Sequence, residues 1–142
     1  MTIATILSGK GHEVIQLGSD TSLRDAIAML VERRIGCVPV VDGGEVVGIL
    51  SERDVVRCLG EKGADVLDAP VSSAMTSPAV TIAPEVAAIT ALSLMTRRRI
   101  RHLPVVDGGK MVGFVSIGDL VKYRIDKIEA EATAMRDYIQ SS

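Results

Sequence analysis

Apolar residues are laid out along this chain twice in the same order. Leu23, Ala26, Ile27 and Leu30 recur at i, i+3, i+4 and i+7, the spacing of one buried helical face. Ser22 with Asp25 reads as a capping pair at the start of that helix. Upstream, Val14 to Leu17 alternates with the two-residue period of a strand. Downstream, Val38 to Val41 and Val46 to Leu50 are strand-like runs joined by Asp42-Gly43-Gly44, whose glycines suit the positive φ of a hairpin turn. A second helix begins at Ser51 and stops at Gly60. Shifted by 65 positions (100 − 35 = 65), the order returns. Val80 to Ile82 is the strand, and Ala88, Ala91, Leu92 and Met95 mark the helix. Leu103 to Val106 and Met111 to Val115 flank Asp107-Gly108-Gly109, and the last helix begins at Ser116. Pro84 and Glu85 are expected at the start of the second copy's first helix, where a missing N–H costs little and a negative charge suits the dipole.

The copies align without a gap from Ile35 and Ile100, with 11 of 21 positions identical. Each is a β-α-β-β-α unit of about sixty residues, too small to be comfortable alone. The expected architecture is α/β (α+β): two such repeats packed sheet to sheet around one core with pseudo-two-fold symmetry. Residues 8–60 form repeat one, 61–73 a linker rich in Gly, Ala and Asp, 74–124 repeat two, and 125–142 a helical extension. Gly48 and Gly113 interrupt the second strand of each hairpin, which marks either a bulge or the close approach of a backbone or ligand. From Asp119 to Ile139 the chain has no Gly or Pro. Val121, Ile125, Ile128, Ala132, Met135 and Ile139 follow spacings of 4, 3, 4, 3 and 4, a heptad seam that needs a partner. A homodimer, with these helices meeting or clasping the opposite subunit, satisfies it.

Composition narrows the function. Hydrophobic residues make up 47% of the 142 residues and charged residues 24%, a globular balance. Phe114, Tyr123 and Tyr138 are the only aromatics, which leaves single-strand nucleic-acid binding without stacking platforms. The net charge of −2 argues against nucleic acid and anionic membranes, despite the cluster Arg97, Arg98, Arg99 and Arg101. Cys37 and Cys58 form no C-x-x-C pair, and His12 and His102 have no metal-ligand spacing, so no metal is expected. Residues 1–14 lack a signal-peptide pattern. The longest apolar stretch, Ile35 to Leu50, is broken by Asp42 and Glu45 and cannot span a membrane. The expected location is the cytoplasm. No nucleophile–base pair, P-loop or dinucleotide loop is present, so the chain is not expected to be an enzyme; the glycines after Asp42 lie in a hairpin, not a strand-to-helix turn.

The repeated PVVDGG…VG…S-x-x-D pattern, preceded at Ala74 to Glu85 by AMTSPAVTIAPE, resembles the CBS domain, named after cystathionine β-synthase. A tandem pair of these domains is a Bateman module. The resemblance covers residues from about Lys10 to Lys122. It implies two clefts between the repeats that take AMP, ADP, ATP, NAD(H) or S-adenosylmethionine, and modules that dimerise into flat discs. The family's S/T-x-x-D motif, matched by Ser51 to Asp54 and Ser116 to Asp119, implies ribose and phosphate contacts. The same residues are also a capping box, and both roles can hold together. A carboxylate, an acceptor-only group, can take both ribose hydroxyl protons.

Arg101 and His102 are candidates to hold phosphates by charge-assisted hydrogen bonds. Their counterparts in repeat one are Gly36 and Cys37, so the clefts should not be equivalent. The pair favours a phosphate-bearing ligand over S-adenosylmethionine. Ile15 and Val80 are candidates to cover an adenine face, with strand core as the competing role; Thr76 and Thr81 are candidates for its edge. The expected function is a regulatory adenine-nucleotide sensor of energy or redox state, acting on an effector protein outside this chain. A ligand-free dimeric interaction module is the alternative.

Overall fold

A computed structural model describes residues 1–10 and 14–141; His12, weighed above as a metal ligand, lies outside them. The element order is α1 (Ile3–Lys10), α2 (Leu23–Arg33), β1 (Cys37–Asp42), β2 (Glu45–Ser51), α3 (Glu52–Lys62), α4 (Ala88–Arg98), β3 (His102–Asp107), β4 (Lys110–Ser116) and α5 (Ile117–Ser141). Two 3-10 turns, Ala64–Asp68 and Val71–Ser73, lie between α3 and α4. β1 with β2, and β3 with β4, form separate antiparallel hairpins in the same register, Cys37 opposite Ser51 and His102 opposite Ser116. Gly43, Gly44, Gly108 and Gly109 all have positive φ, as the hairpin pattern predicts.

The strand expected at the head of each repeat contracts to one residue. Leu17 donates to the Pro39 carbonyl (3.1 Å) and accepts from the Val41 amide (2.7 Å). Ile82 does the same between Pro104 (3.0 Å) and Val106 (2.9 Å). Alternation alone could not set the length, because a strand ends where its partner's backbone runs out.

Pro84 and Glu85 do not start a helix: they form a turn, and α4 begins at Ala88 after Ala87, which makes no side-chain cap. Helix α3 passes through Gly60 and stops at Gly63, whose φ of 75° reverses the chain. An exposed interior glycine costs only about 1 kcal/mol, too little to end a helix packed on a core.

The core is not one but two. The first gathers Leu17, Leu23, Leu30, Val38, Val40, Leu50 and Val55 with Val66 and Val71 from the segment expected to be a linker and Ala74 from the expected start of repeat two. The second gathers Met95, Leu103, Val105, Val115 and Leu120 with Ile3, Ile6 and Leu7 from α1. Each repeat is therefore completed by the segment that leads into the other. Isolated helices as short as α1 are marginal in water, so burial of these three side chains holds it. The glycines in β2 and β4 allow the exchange. A Cβ on Gly48 would meet Met75 Sδ at 2.6 Å and the Thr76 carbonyl at 2.9 Å; one on Gly113 would meet the Leu7 side chain at 2.6 Å. A register break between Val40 and Val41 sits beside Gly48, so bulge and close approach both apply. Gly44 on one hairpin accepts from the Met111 amide on the other (2.9 Å), tying the repeats together at their turns.

Candidate functional site

The main cleft has a volume of about 540 Å³ and lies between the repeats, within the range of small-molecule sites. Three segments converge on it. The start of α3 supplies Ser51, Glu52, Arg53, Asp54 and Arg57; the lead-in to repeat two supplies Thr76, Pro78, Ala79 and Val80; the entrance to β3 supplies Arg99, Ile100, Arg101 and His102. Gly36, Cys37 and Ile49 form its back wall.

Asp54 is the anchor. It is the one buried charged residue among the described residues, 4% exposed. Its Oδ2 accepts from the Ser51 amide (2.9 Å) and hydroxyl (3.0 Å), while Ser51 Oγ accepts from the Asp54 amide (3.2 Å). This is the capping box the sequence predicts. Oδ1 accepts from the Thr76 hydroxyl (3.0 Å) and pairs with Arg57 Nη1 (3.3 Å). Arg57 Nη2 also donates to the Ala74 carbonyl (3.2 Å). The lone-pair directions of the carboxylate are filled, so a ribose diol must displace Thr76 or Arg57 to reach it.

Around this anchor stand four arginines, Arg53, Arg57, Arg99 and Arg101, against the carboxylates of Glu52 and Asp54. Arg99 closes α4 in the left-handed conformation, φ 55°, as Arg34 closes α2 at φ 54°. That strained cap turns the chain from α4 into the strand carrying Arg101 and His102. His102 stacks on Phe114, ring centroids 5.4 Å apart. Burial, then the nearby Lys10 charge, pull its pKa below the ordinary value; Asp119 opposes and Arg101 adds to the fall. At neutral pH the positive charge of the Arg101-His102 pair therefore rests on Arg101. Burial, with Asp54 beside it, pushes the Cys37 thiol up to about 12, so it stays protonated and inert.

Of the residues expected to bind ligand, Ser51, Asp54, Thr76, Val80, Arg101 and His102 are brought together here. Ser116 and Asp119 are not. They form the matching cap on α5, with the Ser116 amide on Asp119 Oδ2 (2.9 Å) and the Asp119 amide on Ser116 Oγ (3.1 Å). There Lys10 Nζ, at the end of α1, sits 2.6 Å from Asp119 Oδ2 and 2.8 Å from the Phe114 carbonyl. Burial raises the Asp119 pKa, but hydrogen bonds from Lys10 and Ser116 and the Lys10 charge outweigh it and hold the carboxyl below its usual value. Ile15 is half-buried against the first core. Thr81 lines a separate shallow depression with Glu45, Val46 and Val106. Sequence reasoning passed over Arg53 and Arg57; their signal was position, on the first turns of a helix whose cap opens the cleft.

A pair of repeats around a cleft, lined by a helix cap and four arginines, defines a two-repeat module. The chain matches the CBS domain over residues 11–61 and again over 71–126, and it belongs to the CBS-domain family as a tandem pair. It is 32% identical over 148 residues to the CBS domain-containing protein CBSX3, mitochondrial, of Arabidopsis thaliana, covering 98% of this chain and 72% of that one. Among solved structures it is similar to the CBS-domain containing protein ATU1752 from Agrobacterium tumefaciens, with TM-score 0.81, 38% identity, and coverage of 87% of this chain and 99% of that one. It is also similar to CBSX2 in complex with AMP, with TM-score 0.72, 26% identity, and coverage of 80% and 89%. Among the described residues no helix is long and apolar enough to cross a membrane.

Proposed function

We propose that this CBS pair is a regulatory, non-enzymatic module that binds one adenine nucleotide per chain, in the cleft built on Asp54. The observation that carries this reading is the convergence of four arginines on a helix cap at the mouth of a cleft of about 540 Å³. Arginine recognises phosphate through planar, charge-assisted hydrogen bonds, and the N-terminus of α3 adds its dipole. Asp54 and Ser51 take the ribose, Arg101 with His102 and Arg99 take the phosphates, and Val80 with Ile49 and Thr76 meet the adenine. AMP, the ligand of the related CBSX2 pair, comes first; ADP, ATP and NAD(H) share its chemistry, and S-adenosylmethionine offers the arginines one carboxylate in place of phosphate and brings a sulfonium cation among them.

At the matching cap on α5, Lys10 holds the carboxylate of Asp119. A second nucleotide, on Ser116 and Asp119, has to displace it. Binding in the first cleft bridges Asp54 of one repeat and Arg101 of the other, so it favours one relative orientation of the two. A homodimer and a cytoplasmic effector protein read that orientation.

A thermal-shift series with AMP, ADP, ATP, NAD, NADH and S-adenosylmethionine tests the reading. A ligand at a hundred times its dissociation constant adds about 2.7 kcal/mol and raises Tm by several degrees. No shift with any of them overturns nucleotide sensing in favour of a ligand-free interaction module.

A further inference from the structure

The last helix uses two faces. Leu120 is fully buried and Tyr123 packs against the second core, with Lys127 half-buried on the same side. The apolar seam lies about a third of a turn away at 3.6 residues per turn. It remains uncovered even beside the repeat: Val121 is 43% exposed, Ile125 and Ile128 49%, Met135 60% and Ile139 64%. Beyond Lys127 every described residue of α5 is exposed, and a lone helix of that length is marginal in water.

The charges beside the seam choose its partner. With Val121, Ile128 and Met135 at d and Ile125, Ala132 and Ile139 at a, the e positions are Lys122, Glu129 and Arg136 and the g positions Arg124, Glu131 and Tyr138. In a parallel pair, g of one helix meets e of the next heptad on its partner. That sets Arg124 against Glu129 and Glu131 against Arg136 on both flanks. An antiparallel pair matched along the whole seam sets Lys122 against Arg136, Glu129 against Glu129 and Glu131 against Glu131. The β-branched Ile125 and Ile139 at a also suit two parallel strands.

We propose that α5 pairs with α5 of a second copy as a parallel two-stranded coiled coil, holding both modules at the same end. This rests on the self-association proposed above and adds its surface and its direction. The test uses full-length Ile125→Cys and Met135→Cys variants under mild oxidation, with sedimentation of the unmodified chain beside them. Cys37 and Cys58 are buried, so the parent protein is a clean control. Each variant is expected to cross-link to itself, and the mixture to give no additional 125–135 species. A 125–135 cross-link in the mixture without self-cross-links overturns the parallel arrangement. A dimer that gives no cross-links places association on the repeats and overturns the coil alone; a monomer overturns self-association as well. Glu129→Arg with Glu131→Arg, which makes every charged e and g position basic, is expected to weaken the dimer at least roughly tenfold; unchanged association counts against the coil.

Discussion

In repeat one the cap carboxylate, Asp54, faces a hydroxyl, Thr76, and the guanidinium of Arg57 on its own helix; in repeat two, Asp119 faces an ammonium, Lys10, brought in by a different helix. Hairpins and caps are the same in both repeats. The difference comes from the segments that lead in. From the residue covering the strand glycine to the bridging residue is seven positions in one copy (Met75 to Ile82, 82 − 75 = 7) and ten in the other (Leu7 to Leu17, 17 − 7 = 10). Three extra residues accompany a full helix in place of a 3-10 turn, and with it a lysine aimed at the carboxylate. The duplication kept the scaffold and let the partners of the two cap carboxylates diverge.

The strongest break of this comparison is Asp54→Ala against Asp119→Ala. The first strands the Ser51 amide, the Thr76 hydroxyl and Arg57 around a buried gap and is expected to cost about 3 kcal/mol. The second, half-exposed, is expected to cost under about 1 kcal/mol. Urea midpoints of the two variants measure the gap directly, and equal midpoints would mean the two caps carry equal weight.

Ligand binding sharpens it next. Arg101→Ala is expected to weaken AMP binding by roughly ten- to a hundredfold, the worth of a charged hydrogen bond. Lys10→Ala is expected to leave that affinity unchanged and to raise the calorimetric stoichiometry from one AMP per chain to two. A stoichiometry of two in the unmodified protein would show that Lys10 is no barrier.

The paired left-handed caps give a smaller effect. Arg99→Gly and Arg34→Gly should each relieve backbone strain and raise stability by up to about 1 kcal/mol. Only Arg99→Gly should also lose AMP affinity, since Arg34 does not line the cleft built on Asp54.

The smallest effect is in acid. The depressed Asp119 carboxyl contributes stability that is present above its unfolded value of 3.8 and lost as pH falls through the lower folded one. Lys10→Ala should flatten that limb of the acid-unfolding curve, while Lys122→Ala should not.

What could be read from sequence is what local rules determine. The Asp-Gly-Gly turns, the Ser-x-x-Asp caps and the heptad of α5 each follow from a few neighbouring residues, and the repeat checks each reading against its copy. Cleft membership is different. Arg57 and Arg99 enter one site across 42 positions of chain (99 − 57 = 42), and no periodicity links them. The role of α1 was equally hidden. Its Ile3, Ile6 and Leu7 lie in a segment read only for a signal-peptide pattern, and the surface they cover, on Leu103, Val115 and Leu120, is about a hundred residues away. Lys10 followed from that docking, so its pairing with Asp119 had no local signature.

The exchange of lead-in segments also orders events during synthesis. The first core spans Leu17 to Met75, and all of it is synthesised ahead of the strands of the second repeat. The opening helix cannot be housed then, because its resting place includes Val115 and Leu120. Chains emerge N-terminus first, so α1 is made ahead of both cores and is covered only with the second. It waits through 113 further residues (120 − 7 = 113) with Ile3, Ile6 and Leu7 in solvent. Seating of α1, and with it the closing of Lys10 onto Asp119, is a completion step that only a finished second repeat permits.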